Sequence, residues 1–216
     1  MNRGRLITIE GIDGAGKSTL AAALVGALKE RGIDVLLLRE PGGVPAAERI
    51  RELVIDPGLH VNARTEALLY AAARAQLVEE ALEPLLAEGK WVLLDRFIDS
   101  SLAYQGGGRE LGIDAVRAIN EFAIRTAWPD RTLLLLIDPE LGRGRSRGRA
   151  REPDRLEREQ GDFFDRTVAA YLELAAEDPQ RIRKIDASRP PDEVLATALD
   201  ELADLIPSPR PPTYFE

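Results

Sequence analysis

The chain has 216 residues, 44% of them hydrophobic, enough to bury a full core in one domain. It has no cysteine and one histidine, His60, which excludes a disulfide framework, thiolate metal sites and histidine-cluster zinc chemistry, so any metal should arrive with a ligand. Its 29 Lys and Arg against 37 Asp and Glu give a formal net charge of −8, which opposes nonspecific binding to DNA and leaves phosphate recognition to local basic clusters.

Met1 to Arg5 leads directly into an apolar run, and no stretch approaches the roughly 18 apolar residues of a membrane span, so a soluble cytoplasmic protein is expected. Runs at 5–10, 34–39, 91–95, 132–137 and 181–186 have strand length, and most are too uniformly hydrophobic for burial on one side only. Helical patterns lie between and after them, at 17–31, 46–55, 63–88, 114–127, 160–176 and 191–205. Asp114 is the expected N-cap of its helix, and Gly32 and Gly89 are expected helix stops. This alternation predicts an α/β fold, a doubly wound parallel five-stranded sheet flanked by helices, with ligands at the C-terminal ends of its strands.

His60 follows Pro57-Gly58-Leu59 and reads as an ordinary loop residue. Gly106-Gly107-Gly108 and the arginine-rich stretch from Gly142 to Arg151 read as mobile. The last ten residues, Pro207 to Glu216, contain four prolines and read as an extended tail on the surface or on a partner. One domain is therefore expected over 1–206, with a small lid at about 142–155 and the tail at 207–216.

The strongest motif lies between the first strand and the first helix. Gly11-Ile12-Asp13-Gly14-Ala15-Gly16-Lys17-Ser18 is a complete Gly-x-x-x-x-Gly-Lys-Ser phosphate-binding loop, followed by Thr19. Its glycines let the backbone turn and aim N–H groups inward, and the helix beyond adds the positive end of its dipole. Lys17 supplies charge for the β and γ phosphates, and Ser18 offers a hydroxyl to Mg²⁺, which normally comes with the nucleotide. The chain is expected to bind a nucleoside triphosphate. Asp95, at the end of the run Trp91-Val92-Leu93-Leu94, stands where such proteins place a carboxylate that organises Mg²⁺ through water; the alternative is a capping acid. Arg96 follows, and its planar fork can bridge two phosphates.

From Arg143 to Arg151 every second residue is arginine. A solvated loop and an RNA-contacting Arg-Gly segment are open readings, and a third is a lid that closes over the transferring phosphates. Tyr70 and Arg74 share a helix face in an alanine-rich run, so Arg74 either snorkels to solvent or reaches a polar ligand edge while Tyr70 stacks on a flat ring. Arg39-Glu40-Pro41-Gly42-Gly43 is a turn at a strand end, where loops carry function.

Together with Ser100-Ser101-Leu102-Ala103-Tyr104-Gln105-Gly106, Asp154-Arg155-Leu156-Glu157 and Phe163-Phe164, these segments make the chain resemble the bacterial thymidylate (dTMP) kinases, P-loop nucleoside monophosphate kinases, to about residue 205. The resemblance implies transfer of the ATP γ-phosphoryl group to dTMP with Mg²⁺. It implies that Gly11 to Thr19 hold ATP, that Asp13 faces the sugar and phosphate of dTMP, and that Arg96 holds the dTMP phosphate. By the same resemblance Arg39 lies at the dTMP site, Arg74 and Gln105 read the thymine edge and Tyr70 stacks on the ring. Ser101 helps seat the base and Tyr104 disfavours a ribose 2′-hydroxyl. With Gly14 and Ala15 in the phosphate loop, the chain is similar to the class that carries its catalytic arginines in the lid, which points to Arg149 and Arg151. The family is typically homodimeric, and no nucleic-acid or membrane partner is implied. Competing readings are another P-loop kinase, a nucleotide-dependent switch, which the missing Asn-Lys-x-Asp guanine motif disfavours, and an RNA-binding module.

Overall fold

The structure is a computed structural model, described here for residues 3–147, 155–156, 159 and 161–207. Its strands are β1 (Leu6–Glu10), β2 (Val35–Arg39), β3 (Trp91–Asp95), β4 (Arg131–Leu136) and β5 (Ile182–Asp186). They form one parallel sheet in the order β2-β3-β1-β4-β5. All five residues of β1 are buried, as are the first four of β3 and the first five of β4, whereas the edge strands β2 and β5 interleave buried with half-buried and exposed residues. Helices on both faces explain this: only the three central strands are covered throughout.

The helices are α1 (Lys17–Glu30), α2 (Pro45–Ile55), α3 (Ala63–Leu77), α4 (Glu83–Ala87), α5 (Ile98–Ser101), α6 (Ile113–Ile124), α7 (Pro139–Arg147), α8 (Gly161–Glu177) and α9 (Pro191–Asp200). α3 and α4 join through a π-helical turn, Val78–Leu82, just ahead of Pro84. Proline lacks the N–H an α-helix requires and crowds the preceding turn, and the wider turn absorbs this without ending the helix expected over 63–88. Gly32 and Gly89 do stop their helices, with φ of 75° and 84°.

Three expectations are corrected. Asp114 is not an N-cap: α6 begins at Ile113 behind Gly112 (φ 87°), and Asp114 lies within the first turn. Gly106-Gly107-Gly108 is not a mobile segment but the end of a π-helical stretch, Leu102–Gly108, that continues α5 against α8. A Cβ at Gly107 would lie 2.5 Å from Ala170 Cβ, and one at Gly108 2.6 Å from Thr167 Oγ1, so these glycines serve close packing. Finally, Gly142 to Arg147 belong to α7, whose start is capped by Asp138 Oδ1 accepting from the N–H groups of Glu140 (2.8 Å) and Leu141 (3.1 Å), with Pro139 as the first helical residue. The rest of the expected lid apart from Arg155, including Arg149 and Arg151, lies outside the described residues, as does the tail beyond Pro207. Among the described residues no helix is long and apolar enough to cross a membrane.

Candidate active site

Register places the site before any side chain is considered. Ile9 of β1 and Arg39 of β2 both pair with Asp95 of β3, so the phosphate loop, the Arg39–Gly43 turn and the Asp95-Arg96 pair leave the sheet at one edge. A cavity of about 230 Å³ opens there. It is lined by Asp13, Gly14, Gly16, Lys17, Ser18, Arg39, Tyr70, Arg74, Asp95, Arg96, Ser101, Tyr104 and Gln105, all expected at a ligand site. Gly11, Ile12 and Ala15 are buried in the loop outside this lining, and Thr19 is exposed in the first turn of α1. Gly14 (φ 80°) is required by close approach: its Cβ would lie 2.0 Å from the carbonyl oxygen of Gly142, where α7 packs on the loop. His60, by contrast, is an exposed loop residue near Asn62.

At the phosphate loop, Lys17 Nζ donates to the carbonyl oxygens of Gly11 (3.1 Å) and Ile12 (3.0 Å) and lies 4.0 Å from Asp13. Burial, followed by the nearby Arg96 charge, lowers its pKa to about 8. Ser18 Oγ donates to Asp95 Oδ2 at 3.1 Å. Two hard-oxygen groups thus meet at the start of α1, which suits Mg²⁺, while among the described residues no cluster of three or more His, Cys, Asp or Glu could hold a metal unaided.

Arg96 sits at the centre. It has φ of 69°, a conformation that an arginine adopts at a cost and that here turns its side chain from the sheet end into the cleft. Its guanidinium donates to Asp13 Oδ1 (2.7 Å), the Gly11 carbonyl (3.1 Å), Ser100 Oγ (3.2 Å) and Tyr104 OH (3.3 Å), and it lies over the Tyr104 ring at 5.0 Å. Arg39 is held by Glu48 through paired bonds of 2.9 Å. A backbone bond from Gly43, assisted by Arg39, lowers the Glu48 pKa.

Arg74 resolves the choice between snorkelling and ligand contact in an unforeseen way. It is 1% exposed, and its five N–H groups are all engaged: Nε and one Nη2 hydrogen on Glu40, the other on the Phe97 carbonyl, and Nη1 on Ser101 and Asn120. Any ligand it touches must share one of these donors. Glu40 Oε1 is buried without a hydrogen bond, and burial pushes the Glu40 carboxyl pKa up against the opposing pull of Arg74.

Sequence reasoning missed Glu10. This fully buried acid at the end of β1 accepts from the Phe97 N–H (2.7 Å), Ser100 Oγ and Tyr171 OH (2.9 Å), and Ser100 passes the network on to Arg96. Burial, with Asp99 adding repulsion, raises its pKa from 4.5 to about 7. A raised folded-state pKa means its contribution to stability is complete below the unfolded value of 4.5 and lost as pH rises through about 7. The stability gap between wild type and Glu10→Gln, from urea midpoints, should therefore shift by about 2–3 kcal/mol in favour of the variant between pH 5 and 8.5. A gap independent of pH would show that Glu10 does not titrate there.

A family model described as thymidylate kinase matches residues 9–198. Among similar curated proteins, the thymidylate kinase of Chromobacterium violaceum is 49% identical over 189 residues, covering 88% of this chain and 89% of that protein. That of Bordetella petrii is 48% identical over 207 residues, covering 96% and 99%. That of a Geobacillus species is 47% identical over 206 residues, covering 94% and 98%. The matches span the phosphate loop, the Arg96 centre and the aromatic end of the cleft alike: the chain belongs to the thymidylate kinase family.

Proposed function

We propose that this chain transfers the γ-phosphoryl group of ATP to the 5′-phosphate of dTMP, giving dTDP and ADP, with Mg²⁺, in the cytoplasm. The observation that carries this reading is one continuous cleft with two unlike ends: the phosphate loop with Ser18 and Asp95, and an aromatic and amide pocket of half-buried Tyr70 with buried Tyr104 and Gln105. Arg96 stands between them. A triphosphate at one end and a nucleoside monophosphate at the other would bring donor and acceptor phosphates together beside its guanidinium.

In the transfer, an oxygen of the dTMP phosphate attacks the γ-phosphorus, the bond to the bridging oxygen breaks, and ADP leaves with that electron pair. The acceptor is already ionised at neutral pH, so positioning and charge neutralisation carry the rate. Lys17 would exchange its carbonyl partners for phosphate oxygens, which would hold it protonated despite its lowered pKa. Mg²⁺, with Ser18 and Asp95 on its side of the cleft, would neutralise the β and γ phosphates. Asp13 fixes Arg96 for the acceptor, and Arg149 and Arg151 are proposed to complete the charge from the lid. Tyr70 would stack on thymine above the floor made by Arg74 and Ser101, with Gln105 at the base edge and Arg39 at the cleft wall. Tyr104 packs edge-on against Phe163 and Tyr171 and, so held, would crowd the 2′ position of a bound sugar.

ADP release measured with ATP and Mg²⁺ should be stimulated strongly by dTMP and weakly by dCMP, dGMP, AMP or thymidine. Preference for another acceptor would overturn the base assignment, and no stimulation would overturn the kinase reading. A homodimer is also proposed: Phe122 on α6 is 87% exposed and Leu68 on the adjoining α3 is 56% exposed, side chains that a partner subunit would cover. A monomer mass in sedimentation equilibrium would refute it.

A further inference from the structure

Glu66, in the first turn of α3, is completely buried, yet nothing about its sequence position marks it. Three side chains from distant parts of the chain converge on its carboxylate. Gln105 Nε2 donates to Oε1 at 2.9 Å. Arg109, held over the Phe163 ring at 4.9 Å, reaches both oxygens, with Nε 3.3 Å from Oε1 and Nη2 3.2 Å from Oε2. Arg155 Nη2 lies 2.6 Å from Oε2 as an ion pair, without the geometry of a hydrogen bond, and Arg155 Nε donates to the Val54 carbonyl of α2. Burying one carboxylate between two guanidinium groups gives little net stability, so this arrangement asks what it holds in place.

It holds an amide that lines the cleft. Gln105 is 2% exposed, and its side chain can present either an oxygen or an NH₂ to a ligand, two faces of almost equal shape and opposite polarity. A carboxylate accepts and does not donate, so Glu66 determines which face is used. We propose that Glu66 is a positioning residue for base selection: it takes the Gln105 NH₂ and thereby leaves the amide oxygen to the cleft. There that oxygen accepts the ring N3–H of a diketo pyrimidine and repels the bare N3 of an aminopyrimidine. The inference rests on the dTMP reading above. Arg109 and Arg155 keep the carboxylate from rotating away from the amide.

The test compares Glu66→Gln with wild type on dTMP and dCMP. The variant keeps the volume, but its own amide can donate or accept, so the Gln105 amide is free to turn over. The ratio of kcat/KM for dTMP over dCMP should fall about tenfold or more, through opposite changes in the two KM values, with kcat for dTMP within about threefold. Because E66Q takes the Glu66 counter-charge from Arg155, whereas Arg109 keeps Glu159 at 2.5 Å, the compensated variant E66Q/R155Q is measured beside it. Binding of each monophosphate to whichever folds, by calorimetry without ATP, should give the same loss of ratio. In a Gln105→Leu background, E66Q should leave the ratio unchanged. Equal losses for both nucleotides, or an intact ratio, would overturn the assignment and leave Glu66 a packing residue. A wild-type enzyme that dTMP does not stimulate would instead defeat the underlying reading.

Discussion

Replacing Lys17 with methionine should lower kcat by roughly 10³-fold while the protein still folds. Lys17 is the buried cation of the phosphate loop, and its Nζ now satisfies only the carbonyls of Gly11 and Ile12. Burial and Arg96 already push its pKa down to about 8, which is the signature of a charge held in place without enough counter-charge around it. The same imbalance predicts the stability effect. A lysine with a lowered folded-state pKa destabilises the fold most below about pH 8, so K17M should unfold at the same or a higher urea concentration than wild type at pH 7. Stopped turnover and circular dichroism melting together check this. Retained turnover in K17M would remove Lys17 from the chemistry, whereas a large loss of stability would mean that its two carbonyl bonds matter more to the loop than its charge costs.

The strands were readable because each is a short apolar run with its length set by charge or turn residues, and each expected boundary lies within one residue of the observed one. Helices were readable where one face is apolar and the other wet. The segment 98–108 failed this test for a physical reason: it is buried on nearly every side, so no stripe marks it as helical, and its glycines imitate a flexible loop while serving as contact points for α8. α7 was hidden by its alternating glycine and arginine, although Asp138-Pro139 was an available start signal. The phosphate loop and the Asp95-Arg96 pair were legible because motif and strand end coincide. Glu66 and Glu10 were not, since an acid in a first helical turn or at a strand end reads as a solvated cap. Their partners at 105, 109 and 155, and at 97, 100 and 171, come together only in the fold.

Arg96→Met should lower kcat/KM for dTMP by about 10³-fold, with KM for ATP changed far less. The asymmetry follows from where the guanidinium points. It is tied to Asp13 at 2.7 Å and lies over Tyr104, on the side of the cleft proposed for the acceptor, while Lys17, Ser18 and Asp95 line the side proposed for ATP. Methionine keeps the contact with the Tyr104 ring but removes the 2.7 Å ion pair of Asp13, leaving Lys17 4.0 Å from that carboxylate. Two anionic phosphates would then face one another with less positive charge between them. Backbone strain supplies an independent check on the cause. At φ 69° any side chain with a Cβ is disfavoured, so Arg96→Gly relieves about 1 kcal/mol that Arg96→Met retains. If activity depends on the guanidinium, both variants lose it equally although glycine is the more stable of the two. If the strained backbone itself shaped the site, Arg96→Met would keep activity that Arg96→Gly lacks, and the role given to the guanidinium would fail.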